Sequence, residues 1–135
     1  MPDTVLIVDD EPFILRSLSY VLERAGFVVL QAKDGDEALE ALRDARPRLV
    51  VLDVMMPKRS GYEVCEIIKG DPDLRDTYVI LLTAKGQGSA KDRGVEAGAD
   101  EFMTKPFSPS KLVERIREIL APAPDATVPV DGELA

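Results

Sequence analysis

The chain has 135 residues, 45% of them hydrophobic and 31% charged, with a formal net charge of −8 at pH 7. This is typical of one globular domain, and no apolar run approaches the roughly 20 residues that span a bilayer. The absence of histidine excludes histidine-ligated zinc and histidine-dependent catalysis, and the acidic balance argues against direct nucleic-acid binding. Since the N-terminus has neither a basic region nor a secretory apolar segment, we expect a cytoplasmic protein.

Three apolar segments in the first part of the chain predict strands, over residues 4–8, 27–32 and 49–53. The first predicted helix begins at Pro12, which a first helical turn tolerates, and stops at Gly26. The second follows Asp34, which has capping-box spacing to Glu37. The third strand is apolar up to Asp53, which predicts a strand buried on both faces of a sheet and ending in an acid.

The same alternation continues after Pro57. Ser60 and Glu63 have capping-box spacing and predict a helix that ends at Gly70. The one cysteine, Cys65, lies among apolar residues of this helix, which favours a buried structural thiol. A strand over residues 78–82 follows.

The last part of the chain contains one further strand, predicted over residues 101–104, between two helices. A weakly amphipathic helix precedes it, from Ser89 to near Gly98. Ser108, followed by a proline suited to the first helical position, predicts the start of the last helix. Residues 121–135 contain three prolines, three acids and no basic residue, so we predict a disordered tail or the start of a linker.

Five strands alternating with five helices are typical of an α/β fold with a doubly wound parallel sheet and right-handed crossovers. Four strands end in residues that support chemistry: Asp9 with Asp10, Asp53, Thr83 and Lys105. Because parallel strands end at one edge of the sheet, we expect these residues to converge there. Three carboxylates repel one another unless a cation lies between them, and their oxygens suit Mg²⁺. The set is suited to phosphoryl transfer to Asp53.

The chain resembles the response-regulator receiver domains of the CheY-like family in four ordered motifs. They are Val8-Asp9-Asp10-Glu11, Asp53-Val-Met-Met-Pro57, Thr83-Ala84 and Thr104-Lys105-Pro106-Phe107. The resemblance covers one receiver domain within residues 1–120 and implies a flavodoxin-like (βα)5 sheet with strand order 2-1-3-4-5. It also implies a phosphorylation-dependent switch of a two-component or phosphorelay system, and not an enzyme.

The resemblance further implies a phosphoryl and metal site. Asp53 would be the phosphoacceptor, taking the group from phosphohistidine on a sensor histidine kinase or a histidine phosphotransfer protein. Mg²⁺ (or Mn²⁺) would bind Asp10 and Asp53 directly and Asp9 mainly through water. The backbone carbonyl of Met55 would complete the protein ligands.

Two further residues would contact the phosphoryl oxygens, Thr83 and Lys105. The bond between Lys105 and Pro106 is cis in this family, and a bond to proline is the one place where that isomer is inexpensive. Thr83 and Phe102 would form the switch. Because Phe102 lacks the hydroxyl of the commoner tyrosine, we favour a switch based on packing.

The resemblance also implies a predicted partner surface, formed by the fourth helix, the fifth strand and the fifth helix. Receivers commonly use this surface for homodimers or for a downstream protein target, which the sequence does not name. Its charged residues are Asp92, Arg93, Asp100, Lys111 and Arg115. We expect no direct nucleic-acid binding by this domain and no membrane insertion.

Three alternatives stay open. A haloacid-dehalogenase-type phosphatase also uses an aspartyl-phosphate and Mg²⁺, but adjacent Asp9 and Asp10 differ from its D-x-D pattern. A flavodoxin-like carrier shares the sheet, but its hydroxyl- and glycine-rich phosphate loop is missing after the first strand. The chain is either a single-domain regulator, which we favour because it contains no output domain, or the receiver part of a longer regulator.

Met55 and Lys85 lie two residues beyond Asp53 and Thr83, at positions that influence phosphoryl lifetime in this family. Apolar Met55 has no group that orients a water molecule for attack on the phosphoryl group. We therefore expect Met55→Asn to shorten the lifetime of phosphorylated Asp53, measured as the rate of phosphate release. An unchanged hydrolysis rate would contradict this role.

Overall fold

The computed structural model describes residues 3–56, 58–84, 97–105 and 108–121. Within these residues the elements are β1 Thr4–Val8, α1 Pro12–Arg24, β2 Val28–Ala32, α2 Gly35–Ala45, β3 Leu49–Asp53, α3 Gly61–Gly70, β4 Tyr78–Ala84, β5 Glu101–Lys105 and α4 Pro109–Leu120. All strands pair in parallel, in the order β2-β1-β3-β4-β5. The predicted fold class and strand order are confirmed.

The apolar run of β3 is explained by two hydrophobic layers, one on each face of the sheet. Val50 and Leu52 pack with α2 and α3, whereas Leu49 and Val51 pack with α1 and α4. β1 and β4 alternate between the same two layers. A strand buried on both faces needs apolar side chains at every position, and this leaves Asp53 as its first polar residue.

Two helices begin at the capping signals that the sequence predicts. At α3, the Ser60 side chain accepts the Glu63 N–H and the Glu63 carboxylate accepts the Ser60 N–H, which is a complete capping box. At α2, Asp34 accepts the Glu37 N–H at 2.9 Å. The Glu37 carboxylate there accepts instead from the Lys33 N–H at 3.0 Å, one residue before the cap.

The ends of α1 and α2 differ in how well the sequence predicts them. Pro12 opens α1, and Gly26, at φ +100°, follows its C-cap as predicted. The C-cap of α2 is Arg46, which adopts the left-handed conformation at φ 48° without being glycine. β4 extends two residues further than predicted and ends at Ala84.

Cys65 is a buried structural thiol, as predicted. Its sulfur lies 3.4 Å from the carbonyl oxygen of Ala97, and burial raises the pKa of the thiol to about 11. The predicted helix from Ser89 lies outside the described residues up to residue 96. Residues 122–135, with most of the predicted tail, also lie outside them.

The start of α3 lies directly against the end of β3. The Gly61 N–H donates to the Val54 carbonyl at 3.1 Å. A Cβ atom on Gly61 would lie 2.5 Å from the Asp53 carbonyl oxygen and 2.8 Å from the Val54 Cα. Because both neighbours are backbone atoms, neither can rotate away, and only glycine allows this contact. The backbone of Asp53 is therefore held by α3 as well as by the sheet.

We expect Gly61→Ala to lower the free energy of unfolding by about 1–3 kcal/mol, because the added methyl group overpacks this contact. Denaturant unfolding measures the change. Gly70→Ala is the matched control, since a Cβ there meets nothing within 4 Å. The control should be neutral or stabilising by up to about 1 kcal/mol, as expected for alanine in a helix. Equal effects of the two substitutions would show that the contact is not tight.

Candidate functional site at the carboxyl edge of the sheet

The carboxyl ends of three strands bring the central candidate residues together. Asp9 directly follows β1, Asp53 ends β3, and Lys105 ends β5. β1 and β3 are neighbours, with Val8 opposite Leu52, so the two acids leave the sheet side by side. The topology thus produces the convergence that the sequence predicts for parallel strands.

Three carboxylates form a cluster at this edge. Asp9, Asp10 and Asp53 each offer an oxygen, and these oxygens all lie within 4.8 Å of one another. Asp9 is 0% exposed and Asp53 is 5% exposed, whereas Asp10 faces solvent. Two of the charges are therefore withdrawn from water, which makes the cluster costly without a compensating cation.

Lys105 supplies one positive charge between the two buried acids. Its Nζ lies 3.2 Å from Asp53 Oδ2 and 3.4 Å from Asp9 Oδ2. The other oxygen of each acid accepts a backbone hydrogen bond: Asp53 Oδ1 from the Met55 N–H at 3.2 Å, and Asp9 Oδ1 from the Glu11 N–H at 2.9 Å. Each buried carboxylate is thus held in a defined orientation by one ammonium and one amide.

The pKa values show that Lys105 alone does not balance the site. Burial raises the pKa of Asp53, and the neighbouring charge of Asp9 raises it further; the Met55 amide and Lys105 oppose the rise without cancelling it. Burial alone would lower the pKa of Lys105, but Asp53 and Asp9 outweigh it, so the pKa of the ammonium is raised. The lysine therefore stays charged while Asp53 remains short of positive charge.

The donor set fits a divalent hard cation. The cluster contains three carboxylates and one ammonium, so a cation of charge +2 would neutralise the two negative charges that Lys105 does not balance. All three offer oxygen atoms, which Mg²⁺ prefers, and Asp10 keeps one side of the cluster open to water, which Mg²⁺ retains when bound. The chemistry of the donor set thus matches the class of ion that the sequence analysis expects.

Thr83 and Phe102 lie on the two neighbouring strands β4 and β5. Thr83 is buried, and its hydroxyl donates to the Met103 carbonyl at 3.5 Å. A hydrogen bond of that length is weak, so it contributes little to holding the hydroxyl in this orientation. Phe102 is partly buried against the layer of α2 and α3.

Pro106 and Lys85 lie outside the described residues, and their predicted roles stay predictions.

Two charges of the predicted partner surface are used within the chain. Arg115 contacts both carboxylate oxygens of Glu101 at 2.7–2.8 Å, and the Tyr78 hydroxyl donates to Glu101 at 2.9 Å. Asp100 pairs with Lys69 at 2.8 Å. Asp92 and Arg93 lie outside the described residues, so a homodimer through this surface stays a prediction.

The sequence analysis missed the contacts of Lys58 and Arg59, which follow the third strand. Lys58 Nζ lies 3.6 Å from Asp34, and Arg59 Nε lies 2.9 Å from Asp36. The sequence signal that could have pointed to these contacts is the isolated basic pair itself, in a chain of net charge −8. A partner 23 or more positions away is visible only in the folded structure.

The chain is similar to known proteins over most of its length. The model of the response regulator receiver domain family matches residues 5–117. The alkaline phosphatase synthesis transcriptional regulatory protein PhoP of Bacillus subtilis is 44% identical over 120 residues, covering 89% of this chain and 49% of the relative. The phosphate regulon transcriptional regulatory protein PhoB of Klebsiella pneumoniae is 40% identical over 120 residues, covering 89% and 52%. The chain spans about half the length of these relatives.

Solved structures agree with the sequence relatives. A putative response regulator from Chloroflexus aurantiacus has a TM-score of 0.84 and 39% identity, covering 90% of this chain and 100% of that one. The BeF3-activated receiver domain of DrrB has a TM-score of 0.80 and 37% identity, with coverage of 90% and 100%.

Among the described residues, no helix combines the length and apolar character that crossing a membrane requires.

Without divalent cations, we expect Asp53→Asn to raise the free energy of unfolding at pH 7 by on the order of 1 kcal/mol. An acid whose pKa is raised by folding destabilises the folded state above that pKa, because ionisation is then harder in the folded than in the unfolded chain. The gain should therefore shrink as the pH falls through the raised pKa and disappear below the ordinary pKa of aspartate.

Denaturant unfolding in a chelator, repeated at decreasing pH, measures this dependence. Asp44→Asn, on the exposed end of α2, is the control and should change stability little at any pH. A loss of stability in Asp53→Asn that is equal at all pH values would show that the raised pKa does not govern this carboxylate.

Proposed function

Because the chain belongs to the response regulator receiver domain family of two-component systems, we propose that it is a signalling switch set by phosphorylation of Asp53. One observation carries the proposal. A nearly buried carboxylate at the end of β3 lies 3.2 Å from the Lys105 ammonium, within a cluster of three acids. This arrangement combines a nucleophile with the positive charge that phosphoryl oxygens require.

The chemistry follows from the orientation of Asp53. One of its carboxylate oxygens forms the new bond to phosphorus, while the bond between phosphorus and the histidine nitrogen of the donor breaks and its electron pair stays on that nitrogen. Lys105 holds its charge beside the transferred oxygens, and its raised pKa keeps it protonated throughout the physiological range. A bound Mg²⁺ would neutralise further phosphoryl charge.

The proposed division of metal ligands follows the family resemblance, which assigns Asp9 a role mainly through water. The contacts do not separate Asp9 from Asp53, because in each acid one oxygen accepts from a backbone amide and the other lies beside Lys105. Asp10 faces solvent and Asp53 lies beside it, so these two are the proposed direct ligands. The Met55 carbonyl is proposed as the third, since the N–H of the same residue donates to Asp53 Oδ1 at 3.2 Å and so places Met55 beside the site.

The proposed switch consists of Thr83 and Phe102. A phosphoryl group on Asp53 would attract the Thr83 hydroxyl, whose bond to the Met103 carbonyl is long, at 3.5 Å. Movement of Thr83 would change the space beside Phe102, which is only partly buried. The signal would then pass to the part of the predicted partner surface that β5 and the last helix, α4, form.

The phosphoryl donor is proposed to be a sensor histidine kinase or a histidine phosphotransfer protein. For the output there are two candidates. One is a single-domain regulator; the other is suggested by the relatives, which are transcriptional regulators about twice as long. That difference supports a receiver that acts as the regulatory part of a longer protein, with nucleic-acid contacts made outside the acidic domain.

The relatives are regulators by name and not hydrolases, which disfavours the phosphatase alternative. Turnover of a small phosphoester by the purified protein would be needed to revive it. The proposed activity is instead a single phosphoryl transfer to the chain itself, followed by its slow loss.

We expect the protein to gain the mass of one phosphoryl group when it is mixed with Mg²⁺ and a small-molecule phosphodonor. Intact-protein mass spectrometry measures the gain. Removal of Mg²⁺ by a chelator should abolish it, because Lys105 alone leaves the site short of positive charge. Asp53→Asn should not be modified, whereas the surface control Asp44→Asn should behave as the parent does. A gain that persists in Asp53→Asn would overturn the assignment.

A further inference from the structure

A basic pair on the loop between β3 and α3 contacts the start of α2. Arg59 Nε lies 2.9 Å from Asp36 Oδ1, and Lys58 Nζ lies 3.6 Å from Asp34 Oδ2. Asp34 is the N-cap of α2 and is itself buried, so its position is fixed by the helix. The loop is thus attached to a neighbouring helix, not only to the two elements it connects.

The attachment includes the backbone. A Cβ atom on Gly35 would lie 2.6 Å from the Arg59 Cβ and 2.9 Å from the Arg59 carbonyl oxygen. Only glycine allows the first turn of α2 to approach the loop this closely. The two ion pairs therefore lie beside a direct backbone contact between Gly35 and Arg59. Because of this contact, the loop has little room to move towards α2.

The same loop carries the groups that act on Asp53. The Met55 N–H donates to Asp53 Oδ1 at 3.2 Å, and Gly61 packs against the Asp53 carbonyl oxygen. Met55 lies three residues before Lys58 in this connection, so we expect a displacement of Lys58 and Arg59 to move the Met55 amide and carbonyl relative to Asp53. The geometry of the acidic cluster therefore depends on what holds the loop.

We propose that Lys58 and Arg59 are positioning residues, whose ion pairs with Asp34 and Asp36 hold the loop and so set the affinity of the Asp53 site for Mg²⁺. The metal part of this inference rests on the proposed function. The anchors do not depend on the loop, because Asp34 and Asp36 lie at the N-terminus of α2, where the helix dipole favours negative charge. Removing Arg59 therefore leaves α2 intact.

The sign of the effect separates positioning from simple electrostatics. Loss of a positive charge near an acidic cation site would by itself tighten Mg²⁺ binding. Loss of the ion pair would instead free the loop and weaken binding. Since exposed ion pairs are weak and screened by salt, the expected weakening is about two- to fivefold and smaller at high ionic strength.

The first experiment measures the dissociation constant of Mg²⁺ by calorimetry for the parent protein and Arg59→Gln. Lys33→Gln is the matched control: it also removes one charge and one ion pair, Lys33 to Glu37 at 3.7 Å, at the same edge of the sheet. We expect weaker binding in Arg59→Gln, and unchanged or tighter binding in Lys33→Gln. The exchanged pair Asp36→Arg with Arg59→Asp keeps the net charge and should restore part of the parent affinity, since the dipole of α2 disfavours a positive charge at position 36.

The second measurement needs neither Mg²⁺ nor a phosphodonor. Amide hydrogen exchange of Met55 and Gly61 should be faster in Arg59→Gln and recover in the exchanged pair. Unchanged exchange, or faster exchange without weaker Mg²⁺ binding, would overturn the inference. If the parent protein binds no Mg²⁺, the proposed function fails, and the exchange data still decide whether the ion pairs hold the loop.

Discussion

The site depends on one ammonium group placed between two buried carboxylates. Lys105 lies 3.2 Å from Asp53 and 3.4 Å from Asp9, and without it the ends of β1 and β3 would place two uncompensated charges together. A single lysine is enough to let these strands end side by side, but not enough to neutralise the cluster. The fold thus tolerates a deficit of positive charge at the edge where a divalent cation and a phosphoryl group are proposed to bind.

The convergence of Asp9, Asp53 and Lys105 could be predicted because it follows from local patterns and topology. Asp9 and Asp53 each end an apolar run, Lys105 ends a less hydrophobic strand, and parallel strands end at one edge. The capping signals at Asp34 and Ser60 are equally local, and the structure confirms them. The class of cation expected at the site follows from the donor atoms alone.

Other features required the folded structure. The contact between Gly61 and the Asp53 carbonyl depends on how α3 enters after the loop, which no periodicity encodes. The left-handed C-cap at Arg46 could not be predicted, because the usual sequence signal for this conformation is a glycine. Arg59 and Asp36 are far apart along the chain. They form an ion pair because α2 packs against the loop that carries Arg59.

The unequal burial of the acids bears on how fast the site is filled. Asp9 and Asp53 lie beneath the surface, and Asp10 stands at the solvent boundary. The proposed cation would meet Asp10 first, drawn by a chain whose net charge is −8, and would lose water on reaching the two buried acids. Its entry and departure would need no opening of the sheet, so dehydration of the ion would set the rate of exchange.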